Sequence, residues 1–132
     1  MRVFITGGSG LIGRALARRL LQGGHDPVIL SRNPNTLRRD REFRDVRVVE
    51  GDPSKEGRWQ DDVDGADAVV NLVGHNVFAE RWTDEVKRKI RDSRVYSAQH
   101  VVEAIRKARR RPEVLVQASA VGYYGPHRRE DL

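Results

Sequence analysis

Apolar and polar positions follow two periods along this chain, and the two periods take turns. A β-branched, apolar run from Arg2 to Thr6 ends at glycine and predicts a strand. Leu11 to Gln22 then carries apolar residues at helical spacing. Ile12, Ala15, Leu16 and Leu20 form its predicted buried face, and Gly23-Gly24 its stop signal. Val28 to Ser31 predicts a second strand, with Pro27 at its entry, where a missing ladder donor is tolerated. Asn35 to Phe43 reads as a polar, weakly periodic helix, and Val46 to Glu50 as a third strand closed by Gly51-Asp52-Pro53. Ser54 to Gly65 is predicted to be a loop with one helical turn. Ala68 to Val73 is apolar on both faces, as a central parallel strand should be. Thr83 is the predicted N-cap of a long helix, with Asp84 and Glu85 at the positive end of its dipole. That helix runs to about Ala108, and Val95, Ala98, Val102 and Ile105 form its predicted packing face. Pro112 follows, and Val114 to Ala118 predicts a fifth strand.

Strands alternating with helices are the signature of a parallel sheet. Right-handed crossovers then give a Rossmann-like, doubly wound α/β fold with strand order 3-2-1-4-5. No repeat, low-complexity tract or linker interrupts the pattern, so residues 1–132 are read as one domain. The fifth strand would lie at an uncovered edge, an invitation to a partner or to a second copy of the chain.

Composition narrows the functional classes. The chain of 132 residues has no cysteine, which excludes disulfides and cysteine-based zinc sites. Its four histidines (His25, His75, His100, His127) show no metal-ligand spacing, and no metal site is expected from them. No stretch is long and apolar enough to span a bilayer, and the first residues lack a signal-peptide core, so a cytoplasmic protein without membrane contact is expected. The net charge is +6, and 21 of the 25 basic residues are arginine. Two runs, Arg38 to Arg47 and Arg106 to Arg111, hold much of it. They read as solvated faces, the commoner role of such runs, because a single aromatic, Phe43, makes no nucleic-acid stacking platform.

The chemistry begins at Thr6-Gly7-Gly8-Ser9-Gly10-Leu11-Ile12-Gly13. Gly7 allows a sharp turn out of the strand, Gly10 allows close approach of a pyrophosphate, and Gly13 allows close packing of the helix. The free N–H groups at the helix start then face the phosphate charge. In this strand–turn–helix context the motif predicts binding of NAD or NADP by Gly7, Gly8, Ser9, Gly10, Leu11, Ile12 and Gly13. The end of the second strand selects between the two. An NAD site places Asp or Glu there, whereas this chain offers Ser31-Arg32-Asn33-Pro34, and Arg32 suits the 2′-phosphate of NADP. Asp52 suits either the adenine amino group or a turn beside Pro53. Asn71, in the run Asn71-Leu72-Val73-Gly74, must find partners for its amide, in a ligand or in a neighbouring loop. Ser119 stands where a hydroxyl can face a substrate carbonyl and is the catalytic candidate. Tyr123 and Tyr124 suit packing under a loop.

Together these residues resemble the NAD(P)-dependent epimerase/dehydratase superfamily of extended and atypical short-chain dehydrogenases. Within it, the chain is most similar to a subgroup of sugar-nucleotide epimerase-like proteins. The resemblance rests on Met1 to Gly13, Ser31-Arg32-Asn33-Pro34, Asn71-Leu72-Val73-Gly74, Arg81-Trp82-Thr83, Asp92-Ser93-Arg94 and the run Ala118 to Gly125. It implies that Gly7, Gly10 and Gly13 hold the pyrophosphate, and that Ser31 and Arg32 hold the 2′-phosphate. Leu72 and Val73 would line the cofactor, and Arg94 would reach it from the long helix. Two departures stand out. Val73, Gly74, His75 and Asn76 replace the Ala and Gly-Glu-Asn usual in the subgroup. Relatives are also about twice as long, their substrate region following the Tyr-Tyr-Gly turn. The superfamily's Tyr and Lys, four residues apart, form an acid/base pair. Here His127 follows Tyr123 at that spacing, and Arg128 follows Tyr124.

Three readings follow. The first is an NADP-binding oxidoreductase or epimerase acting by hydride transfer on a carbonyl or sugar-type small molecule. The second is a non-catalytic NADP-binding or partner-docking module. The third, the least favoured, is a basic nucleic-acid-binding domain.

Overall fold

The computed structural model describes residues 1–73 and 84–118. The elements are β1 (Arg2–Thr6), α1 (Leu11–Gln22), β2 (Asp26–Ser31), α2 (Pro34–Arg38), β3 (Arg47–Glu50), β4 (Ala68–Asn71), α3 (Asp84–Lys107) and β5 (Val114–Gln117). Short 3₁₀ segments at Arg41–Phe43 and Arg58–Val63 join them. All strands are parallel and lie in the order β3-β2-β1-β4-β5, as the alternation predicts. The polar helix expected from Asn35 to Phe43 is broken in two. Asp40 interrupts it by accepting the Glu42 N–H as the cap of the second piece. The predicted N-cap Thr83 lies outside the described residues.

Two apolar layers sandwich the sheet. On one face Phe4, Val28, Leu30 and Val69 pack with Trp59, Val63, Val101 and Ala104. Trp59 is 2% exposed and stacks on Phe4 with ring centroids 6.1 Å apart, while its indole N–H donates to the Lys55 carbonyl. On the other face Val3, Ile5, Ile29 and Val70 pack with Ala17, Leu37, Phe43 and Val46. Period-two alternation in β1 and β2 sends successive side chains into opposite layers. All four residues of β5 are exposed, so this edge strand adds little to either layer.

Both long helices are rolled relative to the faces expected from periodicity. In α1, Ile12 is 69% exposed and Ala15 is exposed, while Gly13 and Ala17 are buried, with Leu16 and Leu20 packed at the margin. The cause lies in the glycine turn. A Cβ on Gly13 would stand 2.4 Å from the Gly8 Cα and 2.7 Å from the Gly7 carbonyl oxygen. The helix therefore presses residue 13 onto the turn itself, and Ala17 follows one turn later. In α3, Val95 (44%) and Val102 (37%) are exposed, while the expected Ile105 does pack against the core. Ser97, Val101 and Ala104 face inward, with Ala108 buried just past the helix end. A buried polar partner in β4 draws Ser97 in, as described below.

Substituting Gly13→Ala should cost about 2 kcal/mol, because backbone rather than a movable side chain fills the space. Urea unfolding of the variant measures this, and an unchanged midpoint would contradict the packing described.

Candidate functional site

A cleft of about 600 Å³ opens along the carboxyl ends of β1 to β4. Its walls come from Gly7, Ser9 and Gly10 after β1, and from Leu30, Ser31, Arg32 and Asn33 at the end of β2. Gly51, Asp52, Pro53 and Ser54 follow β3, Leu72 and Val73 follow β4, and Ser93 faces in from α3. Parallel strands all deliver their carboxyl ends to one side, where the chain reverses into helices.

The glycine turn is built by backbone contacts. Gly7 has φ +70°, a conformation that favours glycine, and a Cβ there would meet the Leu72 carbonyl carbon at 2.8 Å. Gly8 is buried, and a Cβ would strike Ile29 at 2.8 Å. Gly10 differs. Its φ is −77°, open to any residue, and a Cβ would make only an ordinary contact of 3.6 Å with the Gly7 carbonyl. Nothing in the described packing asks for glycine at position 10, which caps α1 and lines the cleft. No side chain caps α1, and its first turn holds no acidic residue, so its leading N–H groups keep their positive potential toward the cleft.

Arg14 also lines the cleft, and the sequence reading missed it. Its Nε donates to the Ser9 carbonyl at 3.0 Å, and its Nη1 bridges Asp40 at 2.8 Å and Glu42 at 3.0 Å. The guanidinium also lies 4.8 Å from the Phe43 ring centre. Arg14 thus ties the glycine turn to the 40–43 segment, and two carboxylates offset its charge. Asp40 is held below its ordinary value, first by the Arg14 hydrogen bond, and Glu42 by Arg18 and then Arg14. Only i, i+4 spacing on α1 and the charges near Asp40 hinted at this clamp.

Arg32 is exposed at the end of β2, and no carboxylate hydrogen-bonds it among the described residues. The Ser31 hydroxyl accepts the Asn33 N–H at 3.0 Å. Across the cleft, Asp52 accepts both the hydroxyl and the N–H of Ser54, at 2.7 and 2.9 Å. Burial pushes the Asp52 carboxyl up, but these bonds, with Arg32 and Lys55 nearby, hold it below the usual range. Of the two roles weighed for Asp52, the turn beside Pro53 is present, and its carboxylate also lines the cleft.

Asn71 is fully buried and does not line the cleft. Its Oδ1 accepts the Thr6 hydroxyl and the Val73 N–H, and its Nδ2 donates to Ser97 and Gln117. One amide therefore joins β1, β4, β5 and α3 just behind the cleft floor. The remaining expected residues are divided. Leu72 and Val73 line the cleft, whereas Gly8, Leu11, Ile12 and Gly13 lie behind or outside it, and Ser93 rather than Arg94 faces in. Gly74 and Ser119 lie outside the described residues, as do Tyr123 and Tyr124.

The pattern of the NAD dependent epimerase/dehydratase family matches residues 3–132. The chain belongs to this family. Within it, the chain is 38% identical over 130 residues to the chloroplastic epimerase family protein SDR39U1 homolog of Arabidopsis thaliana, covering 95% of the chain and 36% of that relative. It is 35% identical to the epimerase family protein YfhF of Bacillus subtilis, covering 95% and 39%. Human epimerase family protein SDR39U1, solved with NADPH, superimposes with a TM-score of 0.73 at 31% identity, covering 96% of this chain and 39% of that one. The chain thus spans less than two-fifths of the length of these family members, which are longer than the twofold expected. No helix among the described residues is long and apolar enough to cross a membrane.

Two outcomes are expected. Asn71→Leu leaves the Thr6 hydroxyl without its buried acceptor and Ser97 without its donor, so chemical denaturation should register a loss of at least about 2 kcal/mol. Because Asp40 and Glu42 titrate below their ordinary values when folded, their contribution is present at neutral pH. It fades as pH falls through about 4 toward the lower folded values. Unfolding followed from about pH 6 to about pH 3 should show that decline, and Arg14→Met should make it shallower.

Proposed function

We propose that this cleft binds NADP(H), with the pyrophosphate at Gly10 and the start of α1 and the 2′-phosphate at Ser31 and Arg32. The observation that carries the reading is the open space at Gly10. It is the one glycine of the turn that the described packing leaves uncrowded, and it sits before an uncapped helix N-terminus in a cleft lined by Arg32. A Cβ would fill that space, so the donors present fit a diphosphate held close to the backbone. The NADPH in the human relative supports the same cofactor. Glu50, at the end of β3, is exposed and is not part of the cleft lining, and β2 ends in Ser31, followed by Arg32, without an acid.

In this reading Asp52 and Ser54 flank the adenine, and Leu72 and Val73 lie along the path toward the nicotinamide. Gly74, Arg94 and Ser119 are assigned to its far end, Arg94 and Ser119 by resemblance and position in the sequence. A bound nicotinamide supplies or accepts a hydride. The chain's own part is to hold the diphosphate, orient the ribose and shield that path from water. Reduction or epimerisation of a carbonyl or sugar-type molecule is the reaction class proposed for the longer proteins.

A non-catalytic, NADP-binding role is the second reading. No tyrosine in the 132 residues is followed four positions later by lysine. His100 follows Tyr96, His127 follows Tyr123 and Arg128 follows Tyr124.

Fluorescence titration with NADPH and NADH tests the binding. NADPH should bind more tightly, and Arg32→Ala should weaken NADPH by about tenfold to a hundredfold while leaving NADH nearly unchanged. Gly10→Val should weaken both, at a stability cost of only about 1 kcal/mol for the poorer N-cap. Equal affinities for the two cofactors, or an Arg32→Ala variant with unchanged NADPH affinity, would overturn the assignment.

A further inference from the structure

Away from the cleft floor, the segment after β3 meets the outer half of α3. His100 and Glu103 are one turn apart on α3 and share a face. Glu56 reaches them from the 51–57 loop. One ring nitrogen of His100 and one carboxylate oxygen from each glutamate all lie within 4.8 Å of one another. Two carboxylates held that close repel unless a cation sits between or beside them. Lys107 supplies one ammonium, 2.8 Å from Glu103 and with Glu56 also in its field, against two carboxylates.

A second feature lies outside the cluster. The His100 Nδ1 is 3.0 Å from the Pro53 carbonyl oxygen. A carbonyl only accepts, so Nδ1 is the donor in this contact, and in the neutral imidazole Nε2 is then the nitrogen with a lone pair to offer a cation. This is the arrangement by which a metal-binding imidazole is oriented and its basicity raised. The elements are also fixed from behind. Gln60 Nε2 donates to the His100 carbonyl at 3.0 Å, and the Trp59 indole holds the Lys55 carbonyl beside Glu56.

We propose that Glu56, His100 and Glu103 form a binding site for a divalent transition-metal ion of the zinc class, clipping the 51–57 loop to α3. One imidazole nitrogen and two carboxylate oxygens, with water completing the shell, suit zinc and its neighbours. A nitrogen donor disfavours magnesium and calcium. The clip closes across Pro53, whose carbonyl orients the imidazole and which is itself part of the cleft wall.

Zinc chloride titrated into the full, untagged chain tests this by competition with a chromophoric chelator, with thermal unfolding in parallel. Expected results are saturable one-to-one binding and a melting temperature that rises with zinc. His100→Asn keeps an N–H donor for Pro53 but removes Nε2, and it should weaken zinc at least about tenfold. Glu103→Gln should weaken it similarly, giving a second reading if His100→Asn folds poorly. Lys107→Ala, which removes a competing ammonium, should tighten binding severalfold. The proposal is overturned if the wild-type chain shows no saturable binding. It is equally overturned if His100→Asn and Glu103→Gln bind as tightly as wild type, which would place the metal on His25, His75 or His127.

Discussion

The contact of Gly13 with the backbone of Gly7 and Gly8 sets the geometry of everything around the cleft. Because no side chain intervenes, the first turn of α1 is pressed against the loop that leaves β1. That pressure fixes the roll of the helix, burying Ala17 and leaving Leu11 and Ile12 in solvent. It also fixes the neighbour of Gly13. Arg14 is carried to the Ser9 carbonyl on one side and to Asp40 and Glu42 on the other. The turn, the helix start and the segment after α2 therefore behave as one unit. A methyl group at residue 13 would separate them.

A consequence is a division of labour among the arginines. Among the described residues two line the cleft, Arg14 and Arg32, and they differ in their surroundings. Arg14 is neutralised by two carboxylates and acts as a strut. Arg32 has Asp52 in its field and makes no ion pair among the described residues, which leaves its charge turned to the cleft. The net charge of +6 is thus a poor guide to the site. What matters is a guanidinium without an ion pair among the described residues, near an uncapped helix terminus, both at the carboxyl edge of the sheet.

Behind this edge, the buried amide of Asn71 serves a purpose that apolar packing could not. It gathers a hydroxyl from β1, a hydroxyl from α3 and an amide from β5, so the strands on either side of β4 keep register where the cleft floor begins. The same bonds draw Ser97 inward and roll α3. Apolar Val95 and Val102 are then left outside, and all of β5 is exposed at the edge of the sheet.

The fold was legible in the chain, because strand order follows from alternating periods, short connections and right-handed crossovers, all local or nearly local properties. The glycine turn was legible for the same reason, since Gly7 requires a positive φ at a place set by the strand before it. The faces of the two long helices were legible only in part, at Leu16, Leu20 and Ile105. Periodicity finds an apolar stripe, but which residues touch the sheet is decided by a backbone contact at Gly13 and a hydrogen bond at Ser97, each made to a partner that periodicity does not identify. The Arg14 clamp and the meeting of Glu56 with His100 and Glu103 were hidden likewise, because their partners come from separate elements. Local sequence determined the turn and the order of the sheet. Long-range contacts, backbone against backbone and charge against charge, decided which side chains stand at the cleft and which are consumed in building it.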